Sequence, residues 1–249
     1  MNVIINNKAV SYSTTGSGKK TLLFLHGWGS NKESFDSIAE TLKSTTVISV
    51  DLPGFGGSEI PDSAWGVPEY ANFVREFLSK INAQVDIIAG HSMGGRVGVY
   101  IAAEKVIDLK KLILIGAHGF KESGSVKNKA YKLAAKTGKV VTKPLPRRMQ
   151  SRLRNKLYSS AGAEDYLQAG ELKNIFSKIV DLDLTDTATK VHTPTLIVYG
   201  ENDDQTPPEF GERYNNLISK SELYIIPGAG HYTHIDAPEK VSNLIKEFI

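Results

Sequence analysis

Three residue types placed in order along the chain could together activate a nucleophile: Ser92, an acid at Asp203 or Asp204, and a histidine at His231 or His234. A serine hydroxyl is a poor nucleophile at neutral pH, so it needs a base to take its proton and a carboxylate to orient that base. Ser92 stands in Gly90-His91-Ser92-Met93-Gly94, a GxSxG pentapeptide between an apolar run at 85–89 and the helical spacing Met93, Val97, Tyr100, Ile101. When a strand turns directly into a helix, the residue at the bend is strained and its side chain projects beyond the sheet. Glycines at 90 and 94 suit that bend, because a Cβ there would collide with the neighbouring strand or the incoming helix. Gly200-Glu201-Asn202-Asp203-Asp204 leaves the end of an apolar run at 195–199, and Gly230-His231 follows another at 223–226. Serine, acid, histidine is a known chain order for such a triad, with each member beyond the carboxyl edge of one sheet. His231 and His234 also raise a metal site, but no third ligand stands at suitable spacing and the chain has no cysteine, so neither a metal nor a cofactor is expected.

The elements that would position these residues follow from the hydrophobic pattern. Strand-like runs recur at 3–5, 10–13, 21–26, 46–51, 85–89, 112–115, 195–199 and 223–226. The later ones are nearly continuous in Val, Ile and Leu, as parallel strands covered on both faces are, whereas the first two suggest an antiparallel hairpin at the edge. Helical patterns at 34–42, 68–81, 93–105, 208–218 and 238–248 supply crossovers, with Pro68, Pro208 and Pro238 at first-turn positions. The expected fold is α/β, a mostly parallel, doubly wound sheet. Between Ile115 and Pro194 the alternation stops and no convincing strand occurs, too long a stretch for an ordinary connection. An inserted helical cap is expected over 117–190, with helices near 126–136, 147–158 and 163–179, on a core of 1–116 and 191–249. No apolar run approaches the ~20 residues of a membrane span, and no signal-peptide pattern opens the chain, so a cytoplasmic protein is expected.

The loops strengthen this reading. His26-Gly27-Trp28-Gly29 after the third strand, DLPGFGGS at 51–58, GHSMGG at 90–95, GENDDQTP at 200–207 and GAGHYTHIDAPEKV at 228–241 closely resemble the corresponding loops of the α/β-hydrolase superfamily. Asp236 stands where many members carry Glu. The resemblance implies a cofactor-free serine hydrolase of small carboxylic esters in which Ser92 is the nucleophile, His231 the base and Asp203 the orienting acid. It also implies an oxyanion hole made by the backbone N–H groups of Trp28 and Met93. Such fixed donors oppose charge developing on the substrate oxygen. The same framework supports C–C bond hydrolysis, thioester hydrolysis or perhydrolysis, and triad-bearing receptors with negligible turnover. Phe120, Tyr232 and His118 are candidates to line the pocket, while His26 and His91 are expected to be structural.

The net charge of +3 hides an asymmetry, since the stretch from Lys121 to Lys156 carries twelve Lys and Arg against the single acid Glu122. Met149, Leu153 and Leu157 form an apolar stripe there, and Arg147 and Arg154 share the opposite face at helical spacing. With Arg148 and Arg152 they could meet an acidic partner. HGWGSNKES and DLPGFGGS are similar to the loops of the bacterial esterases that demethylate pimeloyl-acyl carrier protein, which implies an acidic acyl carrier protein as that partner. No nucleic-acid-binding motif accompanies the charge.

Overall fold

In the computed structural model of the chain, residues 1–121 and 169–249 are described. Eight strands make one sheet: β1 (Asn2–Ile5), β2 (Lys8–Thr15), β3 (Thr21–Leu25), β4 (Thr46–Val50), β5 (Ile87–His91), β6 (Lys111–Ile115), β7 (Thr195–Gly200) and β8 (Ser221–Ile226), in the spatial order β1-β2-β4-β3-β5-β6-β7-β8. β1 and β2 form the expected antiparallel hairpin, turned by Asn6 and Asn7, which both sit at positive φ (49° and 62°), as the tightest hairpin turns require. β2 runs antiparallel to β4, and every pair from β4 through β8 is parallel.

Alternate strand residues feed two cores. Leu23, Val50, Ile88 and Leu114 pack with residues of α2 (Val67–Lys80) and α3 (Met93–Ala103), whereas Leu22, Phe24, Ile113 and Val198 pack with Phe35, Ile38, Val241 and Ile245 on the other face. Ile38 belongs to α1 (Asp36–Ala39), and Val241 and Ile245 to α8 (Pro238–Phe248). Each buried Leu or Ile contributes about 1.5–3 kcal/mol relative to its exposed state, and period-two alternation directs that contribution to both faces. The sheet is doubly wound for this reason. Of the prolines noted above, Pro208 and Pro238 open α6 (Pro208–Leu217) and α8 and Pro68 is the second residue of α2, where the Glu69 carboxylate accepts the Gly66 N–H at 2.8 Å to close the first turn.

Two helices differ from the pattern. The stretch expected as one helix over 34–42 is a 3-10 turn (Lys32–Phe35) followed by the single turn of α1, and its exit is made of tight bonds from the Thr41 and Leu42 amides to Ile38 and Ala39. Asp51 is responsible for the early start, since it accepts from the Lys32 amide at 2.7 Å and from its ammonium at 2.9 Å. The helix expected over 163–179 begins only at Lys173 in its described part. Gly170 takes φ +52° ahead of a 3-10 turn (Gly170–Leu172), and α4 (Lys173–Asp181) follows.

Among the described residues, the connection from β6 to β7 holds that turn, α4 and the short α5 (Thr185–Ala188), and no strand. The helices expected near 126–136 and 147–158 lie outside the described residues. α4 buries Ile175 and Ile179, sets Phe176 edge-on to Trp28 at 5.0 Å and ties Lys178 to the Ala64 carbonyl at 2.7 Å. It therefore leans over the segments that follow β3 and β4. The two ends of the connection are held side by side: the Leu184 amide donates to the Gly119 carbonyl and the Lys121 amide to Asp183 Oδ2, each at 2.8 Å. Arg96 of α3, almost fully buried, braces both ends by bonding His118 Nδ1 and the Leu182 carbonyl. No helix among the described residues is long and apolar enough to cross a membrane.

Candidate active site

Ser92 ends β5 and opens α3, at φ 48° and ψ −109°. A non-glycine residue there carries about 1–3 kcal/mol of strain. A serine at a helix start normally bonds the helix's free amides, but Ser92 makes no side-chain cap bond, so this backbone angle leaves its hydroxyl available. The flanking glycines act through space: a Cβ at Gly94 would fall 2.0 Å from the Leu25 carbonyl oxygen, and one at Gly90 would fall 2.4 Å from the Gly94 backbone. Gly27, after β3, is equally constrained, for its Cβ would approach His91 Nδ1 to 2.7 Å and Ser92 Cβ to 3.3 Å. The loop carrying Trp28 is thereby pressed against the elbow. Met93, at the first turn of α3, is buried.

Asp203 leaves the end of β7 and His231 the loop after β8, and the two meet, with His231 Nδ1 2.9 Å from Asp203 Oδ2. Since a carboxylate only accepts, Nδ1 carries the proton, and Nε2 keeps a lone pair for proton abstraction. Burial by itself would raise the Asp203 pKa. The hydrogen bond and charge of His231, with the amide and hydroxyl of Thr206, outweigh it and hold the carboxyl below its ordinary range. Asp203 Oδ1 accepts from the amides of Gln205 and Thr206 at 3.0 and 2.8 Å. Asp204 is exposed.

His234 is fully buried, stacked on Phe35 at 4.6 Å, with no hydrogen-bond partner on either ring nitrogen. Burial pushes its pKa down to about 3, and it stands apart from any carboxylate bond. His91 donates from Nε2 to the backbone carbonyl of His231 at 3.0 Å, tying the elbow to the histidine loop. His26 accepts the Leu52 amide on Nε2 at 2.9 Å and therefore donates from Nδ1 to the Gly27 carbonyl at 2.7 Å. Both are structural. Tyr232 is exposed beside His231, with ring centroids 5.4 Å apart. His118 is half-buried against Arg96, its pKa lowered to about 3 by burial and by that cation. Phe120 is buried against Phe210 and Tyr214, with the Arg213 guanidinium over its ring. Arg147, Arg148, Arg152 and Arg154 lie outside the described residues. Among the described residues no group of three or more His, Asp and Glu is placed to hold a metal ion.

Two members of this site carry no motif of their own. Thr206 is buried with its hydroxyl between Asp203 and His231, and Gly116, at φ +49°, faces both. An Asp whose carboxylate caps amides two and three residues onward is a recognisable turn, so D-x-x-T at 203–206 held a partial signal for Thr206. Gly116 held none.

The sequence profile described as the alpha/beta hydrolase family matches residues 22–244. A protein called Lipase 3, from Moraxella sp. (strain TA144), is 27% identical over 253 residues, covering 91% of this chain and 76% of the relative. A pimeloyl-[acyl-carrier protein] methyl ester esterase of Neisseria meningitidis serogroup B is also 27% identical, over 255 residues, covering 92% of this chain and 93% of the relative. Among solved structures, a thermophilic esterase from Thermogutta terrifontis superposes with a TM-score of 0.72 at 23% identity, over 96% of this chain and 92% of that one.

Proposed function

Since the chain belongs to the alpha/beta hydrolase family and has its fold, we propose that it hydrolyses carboxylic esters through an acyl-enzyme on Ser92. The observation that carries this reading is the pairing of a buried, ionised Asp203 with His231 Nδ1 at 2.9 Å on the same sheet edge as a strained serine with an uncapped hydroxyl. Ser92 Oγ attacks the ester carbonyl while His231 Nε2 takes its proton. The negative charge on the carbonyl oxygen falls to the backbone N–H groups of Met93 and Trp28, the first at the positive end of α3. His231 then returns the proton to the leaving alcohol, and a water, deprotonated by the same nitrogen, releases the acid. Asp203 keeps the imidazole in the required tautomer throughout. Of the cap expected over 117–190, the described α4 sets Phe176 against Trp28 at the edge of the proposed pocket.

The basic stretch 121–156 and the similarity to an acyl-carrier-protein ester esterase both favour an acidic carrier protein as the macromolecule that presents the acyl group.

The test is hydrolysis of a chain-length series of p-nitrophenyl esters, and of one methyl ester both free and on acyl carrier protein, by wild type and Ser92→Ala. Wild type turns over and Ser92→Ala loses at least about 10⁴-fold in kcat. Turnover retained by the alanine variant overturns the reading. A carried ester used no better than the free one removes the carrier protein.

A further inference from the structure

Thr206 lies three residues beyond Asp203 and is buried, with its Oγ1 2.7 Å from Asp203 Oδ2, 3.0 Å from His231 Nδ1 and 3.0 Å from the Gly116 carbonyl oxygen. A hydroxyl has one proton to give. Carboxylate and carbonyl oxygens only accept, so that proton goes either to Asp203 or to Gly116. The bond to the ionised carboxylate is the shorter one, and charge assistance makes such bonds roughly twice as strong as neutral ones.

We infer that Thr206 is a positioning residue that donates its hydroxyl proton to Asp203 Oδ2 and thereby sets how tightly His231 holds a proton. The catalytic meaning of this inference rests on the hydrolase reading above; the hydrogen bond itself does not. Oδ2 is the same oxygen that receives His231 Nδ1–H, so the two donors share its charge, while Oδ1 is taken by the Gln205 and Thr206 amides. A carboxylate with four donors stabilises a neighbouring imidazolium less than one with three. Thr206 therefore makes the base release its proton more readily, which favours return of that proton to the leaving alcohol.

The surroundings of His231 leave Asp203 as the charge that Thr206 acts upon. His91 of β5 lies tilted against the ring at 4.7 Å, and burial keeps it neutral. His234, on the short α7 (Thr233–Asp236), and His118, after β6, are held neutral in the same way. Asp236, at the end of α7, is engaged by the Gly230 amide at 2.8 Å.

Thr206→Val removes the hydroxyl at nearly constant shape, and Thr206→Ser keeps it. Two readouts are taken for each: kcat/KM for a p-nitrophenyl ester against pH, and the titration midpoint of the His231 ring by NMR in the substrate-free protein, assigned with His231→Gln. The valine variant moves both midpoints up by about half to one pH unit, and the serine variant restores them. If Thr206→Val does not fold, Thr206→Cys, a weaker donor, must give an upward displacement of the NMR midpoint. Midpoints that stay or move down, or that serine fails to restore, overturn the inference. The NMR readout needs no turnover, so loss of the hydrolase reading through an active Ser92→Ala leaves the role of Thr206 separately decided.

Discussion

A methyl group added at Gly116 would stand 3.2 Å from the His231 carbonyl oxygen and 3.3 Å from Asp203 Oδ2, on a backbone at φ +49°. The conformation costs an alanine about 1 kcal/mol, and the contacts displace the acid and base by a few tenths of an ångström. Gly116→Ala should therefore lower the melting temperature by only a few degrees yet cut kcat/KM at least about tenfold, because catalysis is the more sensitive to misplacement. Thermal melts and ester kinetics on the same preparation check this; equal proportional loss of fold and activity would refute it. At this scale Ser92, Asp203 and His231 were legible because each sits in a local motif whose geometry is made by its own neighbours. Thr206 was legible only in part, through its turn with Asp203, and Gly116 not at all, because its place against Asp203 and His231 arises from distances between loops far apart in the chain. His234 shows a similar limit: its spacing left it as a rival base, and its burial against Phe35, together with the bond of Asp203 to His231 instead, distinguishes it.

Among the elements, all eight strands could be read: the inner parallel ones from Val, Ile and Leu runs, since a strand buried on two faces has little freedom in composition, and β1 and β2 as an antiparallel hairpin at the edge. Helices that pack on the sheet were equally plain. The departures lie where a side chain or backbone angle outside the repeat takes control: Asp51 gathering in Lys32 before α1, and Gly170 turning the chain before α4. α4 meets the site where Phe176 packs edge-on against Trp28. The proposed oxyanion donor at Trp28 is a backbone N–H, which no side-chain change deletes. Phe176→Ala should accordingly raise KM for p-nitrophenyl butyrate by about three- to tenfold, in line with the loss of about 0.7–1.4 kcal/mol of packing, and leave kcat within about twofold. A fall confined to kcat would place Phe176 in the chemical step instead.

The molecule as a whole holds buried histidines that resist protonation. Burial lowers His26 to about 4 and His234 to about 3, against about 6.5 in an unfolded chain. Below about pH 6.5 the unfolded chain takes up protons that the native protein refuses, so stability is full above that value and falls on acidification. The loss is about 1.4 kcal/mol per pH unit per histidine until the native values are reached. Asp203, also depressed, loses its contribution only as pH falls below its ordinary value of 3.8, so it plays no part between pH 8 and pH 5. Urea midpoints should drop markedly from pH 8 to pH 5, and His234→Phe, which keeps the stack on Phe35, should shrink the drop; an equal drop in the variant would refute it. The paired feet of the β6–β7 connection, Gly119 with Leu184 and Lys121 with Asp183, have a different consequence. With both ends fixed side by side, closing the excursion between them depends only logarithmically on its length, about 0.6 kcal/mol per doubling. The excursion is in effect an exchangeable cassette: it can be lengthened, shortened or replaced at little cost to the stability of the sheet.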